Sequence, residues 1–356
     1  MGAQRLRYAD GRWHLQHGPI DLIIGADGEA TAVQAAHDAC WARFAGVLDE
    51  LVGELVVLRE PVARGAMLAD NPCVGPVARR MWHACHAHRE RFITPMAAVA
   101  GSVADELIAA YRCEGITRAY INNGGDIAFH LAAPREEVHA INAAAHGAAA
   151  ETRADHAASP RYTIGVFADL ARFDPAHAQY DAATQPLDAQ LTLDARQPVR
   201  GVATSGWRGR SFSLGIADSV TILARDAATA DAAATIVANA VDVEHPDIVR
   251  RPASALKDNS DLGDQLVTVA VPPLPPALVE LALERGLASA QRLQDAGIIE
   301  GAALFLQCRV RVVGIGARRP HAILAQGMQS ASRAMHSLNA AVPYQTEAPC
   351  SKSAAC

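Results

Sequence analysis

Residues 96–131 read MAAVAGSVADELIAAYRCEGITRAYINNGGDIAFHL, and they carry most of the information about the fold. Ser102 has the chemistry of a helix N-cap, and Asp105 three positions on completes a pattern resembling a capping box. Val103, Leu107 and Tyr111 then recur at i, i+4 and i+8, the spacing of one helical face. Gly115 stands where a helix-ending glycine belongs. The spacing predicts a strand over 116–122, a tight turn at Asn123-Gly124-Gly125-Asp126 and a returning strand over 127–131. A helix running straight into an antiparallel hairpin predicts an α+β fold, with mixed or antiparallel sheets packed against helices, rather than a regular βαβ wind.

The flanks extend this pattern. Upstream, Trp13-His14-Leu15 and Ile20-Asp21-Leu22-Ile23-Ile24 alternate with turn signals at Asp10-Gly11 and Gly18-Pro19, which predicts a β-meander. Val33, Ala36, Cys40, Phe44, Val47 and Leu51 place one apolar face on a helix over 31–55, and a second helix is expected over 74–91. Downstream, 132–160 is rich in Ala, His, Glu and Arg and reads as a surface insertion. Strands are expected at 162–167 and 191–193, on both sides of the glycine-rich run 205–215, and at 266–271. A helix is expected over 229–241, two more at 277–286 and 288–295, and a final strand over 303–312. The organisation predicted is one domain over 1–316 and an extension, partly a tail, over 317–356. One internal echo is visible: Gly101–Asp105 opens one helix, and Ala230-Asp231 stands at the start of another.

Composition excludes several classes. Of 356 residues half are apolar, chiefly alanine and valine, a fifth are charged and only 5% are aromatic. This is ample material for a core and rules out a disordered, collagen-like or disulfide-scaffold chain. The net charge of −6 disfavours a nucleic-acid partner. No run of about eighteen uncharged apolar residues suggests a membrane span. Seven scattered cysteines and the polar start MGAQRLRYADG read as reduced thiols of a cytoplasmic protein.

Four constellations could carry chemistry. Asp231 and Thr235, four apart on a helix, bring a carboxylate and a hydroxyl to one face, a donor set for a hard cation such as Mg²⁺. The plain reading is a first-turn acid favoured by the helix dipole. Asn122–Asp126 offers glycines that let backbone approach a ligand, or an ordinary hairpin turn. Thr204-Ser205-Gly206, with Gly209, Ser211, Ser213 and Gly215, suits phosphate or flavin hydrogen bonding, or a polar hairpin. His83, Cys85, His86 and His88 spread around a helix, with only i, i+3 pairs sharing a face, which favours a helix end over a zinc site.

The ordered set MAAVAGSVADEL, AYINNGGDI, GVATSG and TADAAATIVANAV, over roughly residues 80–245, resembles the FAD:protein FMN transferase (ApbE) superfamily, in particular a shorter uncharacterised subgroup. The resemblance implies a layered α+β domain related to the T-fold. It also implies FAD binding with Mg²⁺ at the pyrophosphate and transfer of FMN to an acceptor protein. On it, Asp231 and Thr235 match the metal-binding pair, and Ala97 falls where a backbone carbonyl meets the metal. Asp105, Gly124, Gly125, Asp126, Thr204, Ser205, Gly206 and Asp218 fall in the cofactor-binding motifs. Ala100 stands in place of the family's lysine and Thr94 in place of its motif-opening aspartate. Ser213–Asp218 lacks the family's histidine and proline. Three readings therefore stay open: a divergent Mg²⁺-dependent flavin transferase or FAD-cleaving enzyme, a flavin- or pterin-binding protein without catalysis, and a regulatory protein with a decayed site. An alanine-rich domain with a long sheet is compatible with a homodimer.

Overall fold

The computed structural model describes residues 2–133, 160–166 and 189–314. The expected insertion at 132–160 falls almost wholly outside the described residues, and the expected extension at 317–356 entirely so. The first strands follow the alternation seen in the sequence. In β3 (Ile20–Gly28) the residues Ile20, Leu22 and Ile24 are all buried, so one face meets the core. β1 (Gln4–Arg7) and β2 (Trp13–His17) precede it in a meander. The apolar stripe Ala36, Cys40, Phe44, Val47 and Leu51 then buries one side of α1 (Ala30–Gly53). The short turn α2 (Leu55–Leu58) and α3 (Pro76–His86) follow, the latter with proline in its first turn.

α4 (Val99–Ile108) leads into the expected hairpin, β4 (Ile116–Asn123) and β5 (Asp126–Leu131). The chain then forms a separate antiparallel pair, β6 (Arg161–Val166) with β7 (Ala189–Asp194), and returns to β8 (Gly201–Ser205) and β9 (Ser219–Ala224). α5 (Ala227–Ala240) comes next, then the small pair β10 (Val249–Pro252) and β11 (Leu266–Ala270), α6 (Pro276–Asp295), and β12 (Gly301–Leu306) with β13 (Arg309–Val313). The described residues build a nine-stranded antiparallel sheet in the order β1-β2-β3-β4-β5-β8-β9-β12-β13.

The period of two decides what each sheet face meets. Ala128, Ala203 and Ile222 point to the helical side, where α4 and α5 cross the sheet centre. Their neighbours Phe129, Val202 and Leu223 point the other way and pack with Ile164 and Leu193 of the β6–β7 pair. The small residues of α4 and α5 are what let the two helices approach. Ala227, Ala228, Ala230, Ala232, Ala233 and Ala234 are all buried, and a Cβ on Gly101 would overlap the Ala227 carbonyl.

Three sequence expectations are corrected. Ser102 is not an N-cap: α4 begins at Val99, and Ser102 is buried inside it. The free amides of the true first turn lie before Ser102, and one of them, that of Gly101, donates to a side chain from another helix. The two expected helices at 277–286 and 288–295 are one helix, α6, because Gly286 serves close packing on Val241 and Leu304 rather than a break. The expected strand over 303–312 is a hairpin whose turn places Gln307 and Cys308 at positive φ, which the apolar residues on either side concealed.

Candidate functional site

α4 and α5 meet N-terminus to N-terminus, and each lends a carboxylate to the other. Asp105 of α4 accepts hydrogen bonds from the Ala227 and Ala228 amides at 3.1 and 2.8 Å. Asp231 of α5 accepts one from the Gly101 amide at 2.9 Å, with the Ala100 amide adding to it. Helix N-termini carry unsatisfied donors and positive dipole ends, so each acid stabilises the facing helix. Asp226, the N-cap of α5, satisfies a further amide of that helix's own first turn by accepting from Thr229 at 2.7 Å. The sequence echo between Gly101–Asp105 and the start of α5 thus has a structural counterpart.

Above this junction lies a cleft of about 640 Å³. Asp231 and Thr235 reach it one helical turn apart, beside Ala97 in the 3₁₀ turn Pro95–Ala98. The β4–β5 turn forms a second wall with Gly124, Gly125 and Asp126. It is tied to the α4 N-terminus by an Asn123 amide donating to the Ala100 carbonyl at 3.1 Å. Gly124 and Gly125 both have positive φ, at 67° and 112°, which is why glycine is needed at both. Thr204, Ser205 and Gly206 form a third wall. The Thr204 amide donates to Asp126 at 3.1 Å, and its hydroxyl shares a hydrogen bond with Thr221 at 2.9 Å.

The structure therefore gathers Ala97, Gly124, Gly125, Asp126, Thr204, Ser205, Gly206, Asp231 and Thr235 around one cleft. It sets two predicted residues apart. Asp105 lies behind the cleft, at the helix junction. Asp218 anchors the base of the β8–β9 connection, accepting from the Gln307 amide at 2.6 Å and the Trp207 indole at 3.2 Å. The His83, Cys85, His86 and His88 group also lies apart. The Cys85 thiol donates to the Thr94 carbonyl at 3.2 Å, His86 bonds the Ala66 carbonyl at 2.8 Å, and burial drives His88 down to about 4.

Electrostatics single out one pair. Burial raises the Asp126 carboxyl to about 7, against the opposing effects of the Thr204 amide and Arg210. Burial raises Asp231 well above the carboxylate range, and the charge of Asp126 raises it further. Two desolvated carboxylates that repel each other, opposed by Arg210 at Asp126, would be relieved by a cation placed between them. A hydroxyl one turn away and nearby main-chain carbonyls complete a hard-oxygen donor set, so the residues fit a divalent cation such as Mg²⁺. Among the described residues no group of three His, Cys, Asp or Glu side chains is placed to hold a metal, so such an ion would take its other ligands from hydroxyl, carbonyl, water or substrate.

Sequence reasoning missed part of the lining: Arg59, Phe92, Arg210, Asn239, Lys257 and Asp261. Asp261 accepts from the buried Thr94 hydroxyl at 2.5 Å, which returns a carboxylate to the position where the motif lacks one. The partners are 167 residues apart, and no spacing rule could have joined them.

The chain matches, over residues 3–314, the family model described as AbpE bacteria. The chain belongs to this family. Within this ApbE-like group, it is 29% identical over 218 residues to the UPF0280 protein of Methanothrix thermoacetophila, covering 58% of this chain and 72% of the relative. It is 29% identical over 232 residues to the UPF0280 protein of Methanothermobacter thermautotrophicus, covering 64% and 73%. Among solved structures, the apo flavinyl transferase ApbE of Pseudomonas stutzeri aligns over 89% of this chain and 97% of its own, at 13% identity and a TM-score of 0.35. A variant of the flavin transferase ApbE of Vibrio cholerae aligns over 89% and 98%, at 12% identity and the same TM-score. No helix among the described residues is long and apolar enough to cross a membrane.

The helix junction supplies a stability prediction. Asp105→Ala leaves two buried amides without an acceptor and is expected to cost about 1–3 kcal/mol. Burial, then the neighbouring Asp226, raise Asp105 from 3.8 to about 6, while the Ala227 and Ala228 amides and Arg80 oppose them. The folded state therefore holds the Asp105 proton more tightly than the unfolded chain. The contribution is fullest below about pH 4 and is lost as pH rises through about 6. In urea titrations, the penalty of the substitution is expected to be largest at pH 4 and smaller at pH 7.

Proposed function

We propose that the cleft binds FAD or a related flavin nucleotide together with Mg²⁺, and that the protein acts as a divergent FMN transferase or FAD-cleaving enzyme. The observation that carries this reading is the pair of repelling, desolvated carboxylates, Asp126 and Asp231, at the base of a cleft large enough for a dinucleotide. Membership of an ApbE-like family points the same way. Asp231, Asp126, Thr235 and the Ala97 carbonyl are the groups that would hold the ion. When bound, the ion would neutralise charge on the pyrophosphate.

The chain's own residues supply binding and orientation. The Gly124-Gly125 turn and the Thr204–Gly206 strand end expose backbone and hydroxyls to a phosphate or a flavin edge, and Phe92 and Phe212 offer apolar lining for a heterocycle. The attacking hydroxyl would come from an acceptor protein, because the chain holds no D-x-x-T-G-A-T acceptor motif. Ala100 in place of the family's lysine and the missing histidine favour a second reading, a protein that holds the flavin without cleaving it.

Incubating the purified protein with FAD and MgCl₂ separates these. Release of AMP or FMN on chromatography is the result expected of an enzyme. FAD retained intact in a Mg²⁺-dependent manner identifies the binding protein. No retention of FAD with or without Mg²⁺ overturns both.

A further inference from the structure

α1 is apolar on both sides. Its inner face is the core stripe from Ala36 to Leu51. Its outer face is nearly as poor in charge. Ala35, Ala39, Ala42, Ala45 and Val52 are all exposed there, and Val56 continues the row in α2. Asp38 and Asp49 are the exposed charges along it. A surface helix ordinarily turns a charged face to water, whereas a helix apolar all round is buried on both sides.

The larger side chains mark the same end of the helix. Among the described residues, five of the six most exposed large apolar side chains lie between positions 52 and 74: Val52, Val56, Met67, Leu68 and Val74. Val74 is 83% exposed and Val56 79%. The fold gathers them. Glu54, between α1 and α2, accepts from the Val74 and Gly75 amides, both at 2.7 Å. This pins Val74 to the end of α1, where Val52 and Val56 flank Glu54. Asn71 holds the preceding loop along α3 by donating to the Arg79 carbonyl at 3.2 Å. A contiguous exposed apolar surface of this kind marks an interaction site.

Charge and size decide the occupant. Arg59, Arg64 and Arg79 surround the patch together with Asp49, Glu60 and Asp70, so its rim carries both signs equally. An anionic membrane or a nucleic acid would be met by an excess of cations, which this rim lacks. A twofold interface sets a surface against its own copy, so it needs both signs for unlike charges to meet. From Ala35 to Val56 the helical strip is about 33 Å long and about 10 Å wide, which gives roughly 700 Å² for a pair of copies. A stable dimer buries about 1,200–2,000 Å². The strip is too small alone, and the Met67–Val74 surface beside it supplies the remainder.

We infer that this surface, centred on Val52, Val56 and Val74, is the interface of a homodimer and packs on the same surface of a second copy. The inference is independent of the flavin and cation readings, since none of these three side chains lines the cleft.

Sedimentation velocity of the full chain across the micromolar range tests it, on the wild type, Val56→Asp, Val74→Asp and Leu281→Asp. Leu281 is an exposed apolar residue of α6, outside the patch. All three positions are exposed, so circular dichroism is expected to match the wild type. The wild type and Leu281→Asp are expected to sediment as dimers. Val56→Asp and Val74→Asp are expected to raise the dimer dissociation constant by about tenfold or more. Hydrogen exchange on the wild type needs no variant: amides of residues 49–58 and 67–75 are expected to gain protection as concentration rises. A wild type that stays monomeric overturns the inference, whether or not it binds vesicles or another protein. So does a dimer that both patch variants leave intact, one that Leu281→Asp weakens equally, or one whose concentration-dependent protection lies elsewhere.

Discussion

Asp231→Asn is expected to make the metal-free protein more stable while abolishing its response to Mg²⁺. The two effects have one cause. In the ion-free cleft Asp231 is desolvated and faces the charge of Asp126, so its ionised form opposes folding. Asparagine keeps the shape and keeps an oxygen to accept from the Gly101 amide, while removing one of the two like charges. Substitutions that relieve a strained functional site commonly gain about 0.5–2 kcal/mol. In a domain of this size that is a melting-temperature rise of a few degrees. On the proposed Mg²⁺ site, the wild-type protein is expected to start lower and to gain on adding the ion, by about 2.7 kcal/mol when Mg²⁺ is a hundredfold above its dissociation constant. Thermal melts of both proteins in EDTA and in excess MgCl₂ test this directly. The curves are expected to cross: the variant higher in EDTA, the wild type higher in Mg²⁺. A variant that is less stable in EDTA and still rises with Mg²⁺ would remove Asp231 from the cation site.

The walls of the cleft were legible in the sequence where the chemistry is local. The Gly-Gly turn at 124–125, the Thr204–Gly206 strand end and the Asp231/Thr235 pair each lie within a few residues, and period and turn chemistry place them. What was not legible comes from outside such windows. The α4 N-terminus is satisfied by Asp231, 130 residues away, so the local capping pattern at Ser102 pointed to the wrong first turn. Asp261 reaches Thr94 from the segment between β10 and β11, and Lys257 and Arg59 come from connections with no motif of their own. Alanine stands at position 100 where the resembled family has a lysine, and the motif offers no cation in its place. The structure shows four cations lining the cleft, which only tertiary placement could reveal. The nine-strand order was out of reach for a related reason. β5 and β8 are neighbours in the sheet but are separated in the chain by the β6–β7 pair, which covers the opposite sheet face.

Gly101→Ala is expected to destabilise the protein by about 2–3 kcal/mol, against the intrinsic preference of the residue itself. In an isolated helix, alanine is better than glycine by about 1 kcal/mol. At Gly101 that gain meets a steric cost, because the new methyl would overlap the Ala227 carbonyl, which belongs to the rigid first turn of α5. The helices must separate, and separation pulls at both reciprocal contacts: Asp231 on the Gly101 amide, and Asp105 on the Ala227 and Ala228 amides. It also displaces Asp231 relative to Asp126, so the Mg²⁺-dependent rise in melting temperature should shrink together with stability. Gly46 provides the opposing control. It lies in the exposed middle of α1 with open space around its absent side chain, and Gly46→Ala is expected to stabilise by about 0.5–1 kcal/mol. Denaturant titrations of the two variants should therefore move the midpoint in opposite directions. A gain in stability at position 101 would mean that α4 and α5 cross less closely than their reciprocal capping requires, and the geometry assigned to Asp231 would fall with it.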